Sequence, residues 1–206
     1  ALSELKTVDN LRPFVELNPY REVLSKANEF VGYLPNAETV EPDTKLGLDD
    51  MFELVRKADE DYRTLQEKKE KLKQKIEEYR AKQQIVAPFR PLECDLHRVL
   101  HYRYITYRFG RIAVEFYHKM QKYLMDDLKA IFVEGERDES YVYGVYFVSQ
   151  AETQKVDAVF RSLHFERIEL KDEFEGTPDT AYRVLENEIA RVNLEIEDLD
   201  KQAGEM

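Results

Sequence analysis

The chain has 206 residues, with 43% apolar and 35% charged side chains and a formal net charge of −11. This length and apolar content fit one or two folded domains and exclude a disordered chain. The acidic balance argues against general binding to nucleic acid or anionic membranes, and no apolar run is long enough to cross a bilayer. The only cysteine, Cys94, excludes an internal disulfide and a cysteine-based zinc site, and we expect it to be a packing residue.

The start of the chain, residues 1–48, is expected to form an interrupted helical segment followed by a linker. Apolar residues first recur at helical spacing and are then interrupted by a proline. Asn18 and Pro19 supply the cap and first turn of a second helix, which is predicted to run to Phe30. Residues 35–47 contain prolines and a glycine among few apolar side chains, and therefore predict a loop.

Residues 49–88 predict the first arm of a coiled coil. Apolar or aromatic side chains occupy eight of ten positions that alternate in steps of three and four, and the faces between them are almost wholly charged. Asp49 or Asp50 is expected to cap the start of this helix, and Pro88 is expected to end it. The ten positions, including the polar exceptions Lys69 and Gln83, are Val55, Ala58, Tyr62, Leu65, Lys69, Leu72, Ile76, Tyr79, Gln83 and Val86.

Residues 177–206 predict the second arm, and here the seam has no polar exception. Thr177 is expected to be the N-cap of this helix, with Pro178 at the first helical position. Two heptad helices that are separated by a compact segment are expected to run antiparallel, as the two arms of one hairpin. The seam positions of the second arm are Tyr182, Leu185, Ile189, Val192, Ile196, Leu199 and Ala203.

The segment between the arms, residues 89–176, predicts an α+β lobe. Its β-rich and helical runs follow the order βαββαβ, which is the ferredoxin-like arrangement with both helices on one face of an antiparallel sheet. Gly144 lies among tyrosines and predicts a place where another ring or backbone packs closely. Strands are predicted at 101–111, 130–133, 141–148 and 165–170, helices at 114–125 and 150–163, and a turn at 134–138. The predicted fold is therefore a ferredoxin-like lobe inserted between two arms of a long antiparallel coiled coil.

No motif in the sequence assembles a catalytic, metal or cofactor site. The histidines at 97, 101, 118 and 164 do not have the spacing of metal ligands, and no glycine-rich phosphate loop is present. The many acidic residues lie mostly at helical spacing from lysines, where solvated ion pairs are the ordinary outcome. We therefore expect a non-catalytic protein without a cofactor.

Arginines and aromatic residues alternate at the start of the lobe, and this pattern leaves two interpretations open. On a central strand of a βαββαβ sheet they could stack single-stranded RNA bases, which makes an RNA-binding module one alternative function. In the other interpretation the tyrosines pack against a helix layer, and the arginines lie at the rim or face an acidic partner. A coiled-coil tether or dimerisation protein is a further alternative. The residues of the pattern are Arg98, Tyr102, Arg103, Tyr104, Tyr107, Arg108, Phe109 and Arg111.

Several stretches in order resemble one family, and together they extend over essentially the whole chain. The chain is similar to the cytoplasmic N-terminal region of subunit I of V-type and archaeal-type rotary ATPases, in its bacterial form. This subunit is the counterpart of the a subunit. The stretches that carry the resemblance are Ala1–Val8, Leu11–Phe14, Asn18–Arg21, Tyr104–Ile112, Glu115–Tyr117, Val145–Val148, Ser162–Ile168 and Gly176–Pro178.

The resemblance implies a non-catalytic stator arm at the cytoplasmic face of the membrane, which resists torque during ATP-coupled ion transport. The implied partners are the peripheral-stalk heterodimer, the central-stalk cap subunit and, through a C-terminal half that this sequence lacks, the membrane sector. Residues 1–48 would then belong to an incomplete membrane-proximal lobe, and the second arm would be truncated. No ion-translocating residue can be assigned. The residues expected to contact the stalk are Arg103, Arg108, Arg111, Tyr141 and Tyr143.

Overall fold

The computed structural model describes residues 20–33, 47–126, 128–171 and 173–204. The chain divides into two compact units, Ala1–Glu70 with Glu197–Met206, and Lys71–Ile196. The predicted apolar helical run before residue 18 and nearly all of the predicted linker lie outside the described residues. Within the described ranges the helices are α1 (Tyr20–Tyr33), α2 (Leu48–Val86), α3 (Leu96–Leu100), α4 (Val114–Asp126), α5 (Thr153–Ser162) and α6 (Pro178–Gly204), and the strands are β1 (Ile105–Ala113), β2 (Ala130–Arg137), β3 (Tyr141–Ser149) and β4 (Glu166–Arg167).

The first unit contains α1, the first part of α2 and the last residues of α6. α1 is described from Tyr20 and extends three residues beyond the predicted end at Phe30, whereas the predicted cap and first turn at Asn18 and Pro19 lie outside the described residues. In this part of α2 the predicted seam positions are half-buried, whereas most of the residues between them are exposed. Lys69, one of the polar seam positions, donates a hydrogen bond of 2.5 Å to Asp200 of α6.

In the second unit the adjoining parts of α2 and α6 run antiparallel. Tyr79 lies opposite Glu188, with 3.5 Å between the hydroxyl and the carboxylate, and Arg90 binds Asp179 at 2.8 Å. The residue that lies later in the first segment thus contacts the residue that lies earlier in the second, as in an antiparallel pair. The predicted seam positions of this unit are buried or half-buried on both helices, and Val86 and Val192 are fully buried. Burial of one apolar stripe on each helix is what holds such a pair together.

Local capping explains where these helices begin and end. The Thr177 hydroxyl accepts a hydrogen bond of 3.2 Å from the Thr180 amide, which confirms the predicted N-cap of α6. α2 ends at Val86, and a single 3-10 turn over Ala87–Phe89 contains Pro88. The short helix α3 was not predicted, although the Asp95 carboxylate caps it by accepting from the Arg98 amide at 2.9 Å.

The four strands form one antiparallel sheet in the order β2-β3-β1-β4. The predicted α4, β3 and α5 agree with the structure within a few residues. Three strand boundaries differ from the prediction. β1 begins at Ile105 rather than at residue 101, β2 continues through the predicted turn at 134–138 as far as Arg137, and the last strand is limited to Glu166–Arg167.

Each face of the sheet carries its own apolar core. One face packs against α4 and α5 through alternate residues of the central strands, and we call this the helix-side core. The opposite face packs against the end of α2, the 3-10 turn, α3 and the start of α6, and we call this the hairpin-side core. The helix-side core includes Ile112, Met120, Val142, Tyr146, Val148, Val156 and Phe160, and the hairpin-side core includes Val86, Phe89, Leu96, Phe109, Val145 and Leu185.

Two glycines face each other across the centre of the sheet. Gly110 of β1 pairs directly with Gly144 of β3. A Cβ atom on Gly144 would lie 2.4 Å from the ring of Phe132, and one on Gly110 would lie 2.5 Å from the ring of Phe165. The prediction that Gly144 admits a close ring is therefore confirmed, because aromatic rings occupy the space that side chains would fill.

Candidate functional site

The five residues expected to contact a partner do not share one surface. Arg108 projects from the side of β1 that carries the helix-side core, since it binds Asp157 of α5. Arg111 lies on the other side of β1, opposite Tyr143 in the sheet register. Arg103 is exposed in the bend before β1. The structure thus separates Arg111, Tyr141 and Tyr143 from Arg103 and Arg108.

Arg111, Tyr141 and Tyr143 form a small cluster, which we call the tyrosine–arginine surface. The Arg111 guanidinium lies 4.1 Å from the centre of the Tyr141 ring and binds Glu166 of β4 at 2.6 Å. Hydrogen bonding to Glu166, with a further bond to Tyr143, raises the pKa of Arg111 above its ordinary value. The cluster is half-exposed and offers a fixed cation between aromatic rings, which suits contact with an acidic or aromatic partner side chain.

Arg108 belongs to a network centred on Asp157, a residue absent from the predicted set. Asp157 accepts hydrogen bonds from Tyr146 at 2.7 Å and from Arg167 at 2.5 Å, and Arg108 approaches it at 3.5 Å. Burial raises the pKa of Tyr146, and the Asp157 carboxylate raises it further. For Asp157 itself burial opposes ionisation, but the bonds from Tyr146 and Arg167 and the arginine charges prevail and hold its pKa below the ordinary value. The network joins α5 to three strands of the sheet.

A groove of about 530 Å³ runs along the edge of β1, and we call it the edge groove. Its walls come from β1, from the bend before it, and from Arg167 at the end of β4 with the three residues that follow it. Arg103 lies at this groove, together with Arg108 and Arg167. The lining residues are Tyr102, Arg103, Ile105, Thr106, Tyr107, Arg108, Phe109, Gln150, Arg167, Ile168, Glu169 and Leu170.

The aromatic residues of β1 are not arranged as a base-stacking platform. Phe109 is 3% exposed within the hairpin-side core, and Tyr107 is half-buried, with its hydroxyl 3.4 Å from the Leu100 carbonyl. RNA-binding sheets need open ring faces on the central strands. The covered faces of these two rings therefore favour the interpretation in which the tyrosines pack against a helix layer.

The remaining polar candidates have ordinary structural surroundings. His97 and His101 lie on α3 and at its C-terminal end, with ring centres 4.3 Å apart. Among the described residues no group of three or more histidine, cysteine, aspartate or glutamate side chains could hold a metal ion. Cys94 is half-buried beside the hairpin-side core, and burial raises the pKa of its thiol. A thiol with a raised pKa is a weak nucleophile, which agrees with a packing role.

One of the two missed features, the Asp157 network, had a signal in the sequence. Asp157 lies between the apolar residues Val156 and Val159 on α5, and a carboxylate close to the buried face of a helix needs a partner, which is the signal that was overlooked. The edge groove had no such signal. Residues 165–170 alternate like a strand and therefore predict a continuous neighbour for β1, whereas the paired strand ends at Arg167.

The described residues define an α+β lobe that packs on the adjoining ends of two long helices. No family model and no curated protein matches the chain. Among eighteen matching chains of solved structures is one described as the crystal structure of the cytoplasmic N-terminal domain of subunit I, homolog of subunit a, of V-ATPase. The TM-score is 0.51 at 14% identity, and the match covers 92% of this chain and 64% of that chain, which is less than two thirds of it.

This likeness concerns the fold, because an identity of 14% carries no residue-level correspondence. It extends over the long helices as well as the lobe, since nearly the whole chain is covered. None of the described helices is long and apolar enough to cross a membrane.

Proposed function

We propose that this chain is a non-catalytic stator arm of a V-type or archaeal-type rotary ATPase, the cytoplasmic region of its subunit I. The observation that carries the proposal is the fold similarity over 92% of the chain to a domain described as that subunit's cytoplasmic N-terminal domain. The ordered sequence stretches that resemble the same family support it independently. In this role the chain lies at the cytoplasmic face of the membrane and resists the torque of the rotor.

The architecture supports a force-bearing role. We assign the lobe to the ferredoxin-like class, since the strand order β2-β3-β1-β4 is the one that a βαββαβ chain adopts in that class. We interpret α2 and α6 as the two arms of a coiled coil, supported by the burial of the predicted seam positions. The arms are then residues 49–88 and 177–206, and the distal lobe is residues 89–176. Paired helices resist bending better than a loop of the same length.

The partners that fit this role are the peripheral-stalk heterodimer and the central-stalk cap subunit, with the membrane sector joined through a further part of the subunit. The tyrosine–arginine surface is the contact that we propose for the stalk, because it is half-exposed and its cation is fixed by Glu166. Cations held in place recognise acidic side chains at a lower entropic cost than mobile ones.

The proposal is tested by light scattering after size exclusion, with the chain alone and mixed with the peripheral-stalk heterodimer of the same organism. We expect a monomer that shifts to a complex of defined mass. Arg111→Glu should weaken that complex, because it places a carboxylate beside Glu166 and removes the cation between the tyrosines. Arg161→Glu makes the same charge change at an exposed position of α5 and should leave the complex intact.

The outcomes separate the competing functions. A concentration-dependent dimer that ignores the stalk subunits would favour a tether or dimerisation protein. A complex that is equally stable with Arg111→Glu would keep the stator role but move the contact away from the tyrosine–arginine surface. Absence of any complex at micromolar concentrations would count against the stator role of this chain.

A further inference from the structure

β1 is paired along its whole length on only one of its two sides. β3 pairs with all nine residues of β1, whereas β4 pairs with Gly110 and Arg111 alone. One further bond, 2.9 Å from the Ile168 amide to the Phe109 carbonyl, closes this side. Beyond it, residues 168–170 diverge from β1 and line the opposite wall of the edge groove. Within the described part of the chain, residues 105–108 therefore have no strand beside them on this side.

The backbone groups of this stretch point into the groove. In an antiparallel sheet the amide and carbonyl of one residue point to the same side, and successive residues alternate. The Phe109 carbonyl points toward β4, so the amides of Ile105 and Tyr107 also point away from β3. Among the described residues no hydrogen bond reaches either amide, while the Tyr107 carbonyl accepts one of 2.9 Å from the Arg108 side chain. An open edge of this kind is a template for an added strand.

The two walls of the edge groove differ in chemistry, because successive side chains of β1 point to opposite faces of the sheet. Tyr107 and Phe109 project to the hairpin side, where Ile168 and Leu170 also pack, so that wall is apolar. Arg108 projects to the other side and is joined there by Arg167, so that wall is cationic. A strand lying between the walls would present alternate side chains to each.

The edge groove carries a net positive charge, although the whole chain is acidic. Three arginines (Arg103, Arg108 and Arg167) stand against two carboxylates, Glu169 in the lining and Asp157 behind it, which leaves one positive charge in excess. The whole chain carries a formal charge of −11. In addition, the Nε–H group of Arg108 is buried, and none of the described residues offers it an acceptor. Guanidinium groups bind carboxylates strongly, so the excess of arginine charge along this wall complements an acidic occupant.

We propose that the open edge of β1 binds an extended segment of a partner protein as an additional strand, and that this segment alternates acidic and apolar side chains. Backbone hydrogen bonds to Ile105 and Tyr107 supply affinity, and the apolar and cationic walls select the alternating pattern. Four residues of added strand span about 13 Å. This inference goes beyond the stator role, since it depends on the edge and its walls and not on the assembly to which the chain belongs.

The first test uses the 206-residue chain and short fluorescent peptides, with binding measured by anisotropy. A peptide of alternating valine and glutamate should bind, and one of alternating valine and lysine should bind at least about tenfold more weakly. Two N-methylated forms of the valine–glutamate peptide, each methylated on one set of alternate residues, test the backbone bonds. One of the two should lose about tenfold in affinity, because its methyl groups face β1. These comparisons need no change in the protein.

Hydrogen exchange and one matched pair of variants locate the site. The amides of Ile105 and Tyr107 should exchange more slowly when the valine–glutamate peptide is bound. Arg103→Glu should weaken binding several-fold, whereas Arg98→Glu, the same change at an exposed position of α3 outside the groove, should not. Both variants reverse a largely solvated charge, so their unfolding curves should match that of the parent chain.

Several results would overturn the inference. These are absence of binding by the valine–glutamate peptide, equal binding of the lysine form, indifference to both N-methylation patterns, and unchanged exchange at Ile105 and Tyr107. Tighter binding of oligouridylate than of the peptide, lost with Arg103→Glu, would assign the groove to single-stranded RNA instead.

Discussion

At the scale of single residues, Asp157 has the largest structural consequence. Its carboxylate is 14% exposed and is bound by one hydroxyl and two guanidinium groups. Each charge-assisted hydrogen bond of this kind contributes about 1.5–3 kcal/mol to stability. The three donors come from β1, β3 and β4, so one side chain of α5 fixes a helix against most of the sheet.

The lowered pKa of Asp157 predicts how stability depends on pH. Because the pKa is lower in the folded than in the unfolded chain, the carboxylate stabilises the fold fully above its ordinary value, 3.8, and this contribution is lost as the pH falls through the folded-state pKa. At neutral pH we expect Asp157→Asn to reduce the free energy of unfolding in urea by about 2 kcal/mol. The difference from the parent chain should shrink as the pH is lowered below the ordinary value.

Asp198→Asn provides the control for this prediction. Asp198 is exposed on α6 and pairs with Lys201 three residues away, so its loss should cost about 0.5 kcal/mol or less. A difference between Asp157→Asn and the parent that stayed constant throughout the acid range would mean that the carboxylate is not held ionised by its arginine and tyrosine partners.

At the scale of elements, the longer helices were predicted more closely than the strands because their signals are local. The seam of α6 and its Thr177 cap could be located from heptad spacing and one hydroxyl. The strand errors have tertiary causes. Gly135 was interpreted as a turn residue, yet it lies in β2 where a Cβ would come within 2.6 Å of the Pro88 carbonyl. The true turn follows it, where Asp138 accepts hydrogen bonds from the Ser140 and Tyr141 amides at 2.7 Å.

The last strand shows why the edge groove could not be predicted. Residues 165–170 alternate in the manner of a strand, but beyond the Ile168 amide the segment makes no further bond to β1, and Ile168 and Leu170 pack against the hairpin-side core. The same alternation fits either position, and only the packing of the two helix ends decides between them. Arg103 was identified from the sequence, whereas the groove beside it depends on the early end of β4.

Gln83 allows a test of the helix seam within a single unit. It is half-buried at a predicted seam position of α2, and its neighbour Gln84 is exposed. Gln83→Leu should raise the free energy of unfolding by about 1 kcal/mol, because it adds apolar area to the seam. Gln84→Leu makes the same change away from the seam and should have little effect, since leucine and glutamine have similar helix propensities. Thermal and urea unfolding measure both, and equal shifts for the two variants would show that residue 83 is not in a seam.

At the scale of the whole molecule, charge and fold lead to the same conclusion about nucleic acid. The formal charge is −11, and the two central aromatic residues of β1 are covered by the hairpin-side core. Neutralising phosphates requires clustered cations, and stacking requires open rings. What remains available is a lobe with the tyrosine–arginine surface and an edge groove, both suited to protein partners.

We therefore expect the chain to bind single-stranded RNA no tighter than the non-specific range, with a dissociation constant of about 10⁻⁶ M or weaker at physiological salt. Anisotropy with labelled oligouridylate and a salt series measures this. Nanomolar binding that weakens steeply with salt and is lost with Tyr104→Ala would reverse the conclusion, since Tyr104 is 81% exposed in the bend just before β1.

The glycine pair at the centre of the sheet has a consequence for strand slippage. Phe132 reaches Gly144 from one outer strand, and Phe165 reaches Gly110 from the segment that leads into the other. If β2 slipped by two residues along β3, the ring of Phe132 would meet Val142 or Tyr146. Both side chains are fully buried, so neither position leaves room for the ring. Each ring packs in the space that the missing side chain of one glycine leaves, and these two spaces are adjacent. The missing side chains of two neighbouring glycines thereby hold both outer strands in a single alignment.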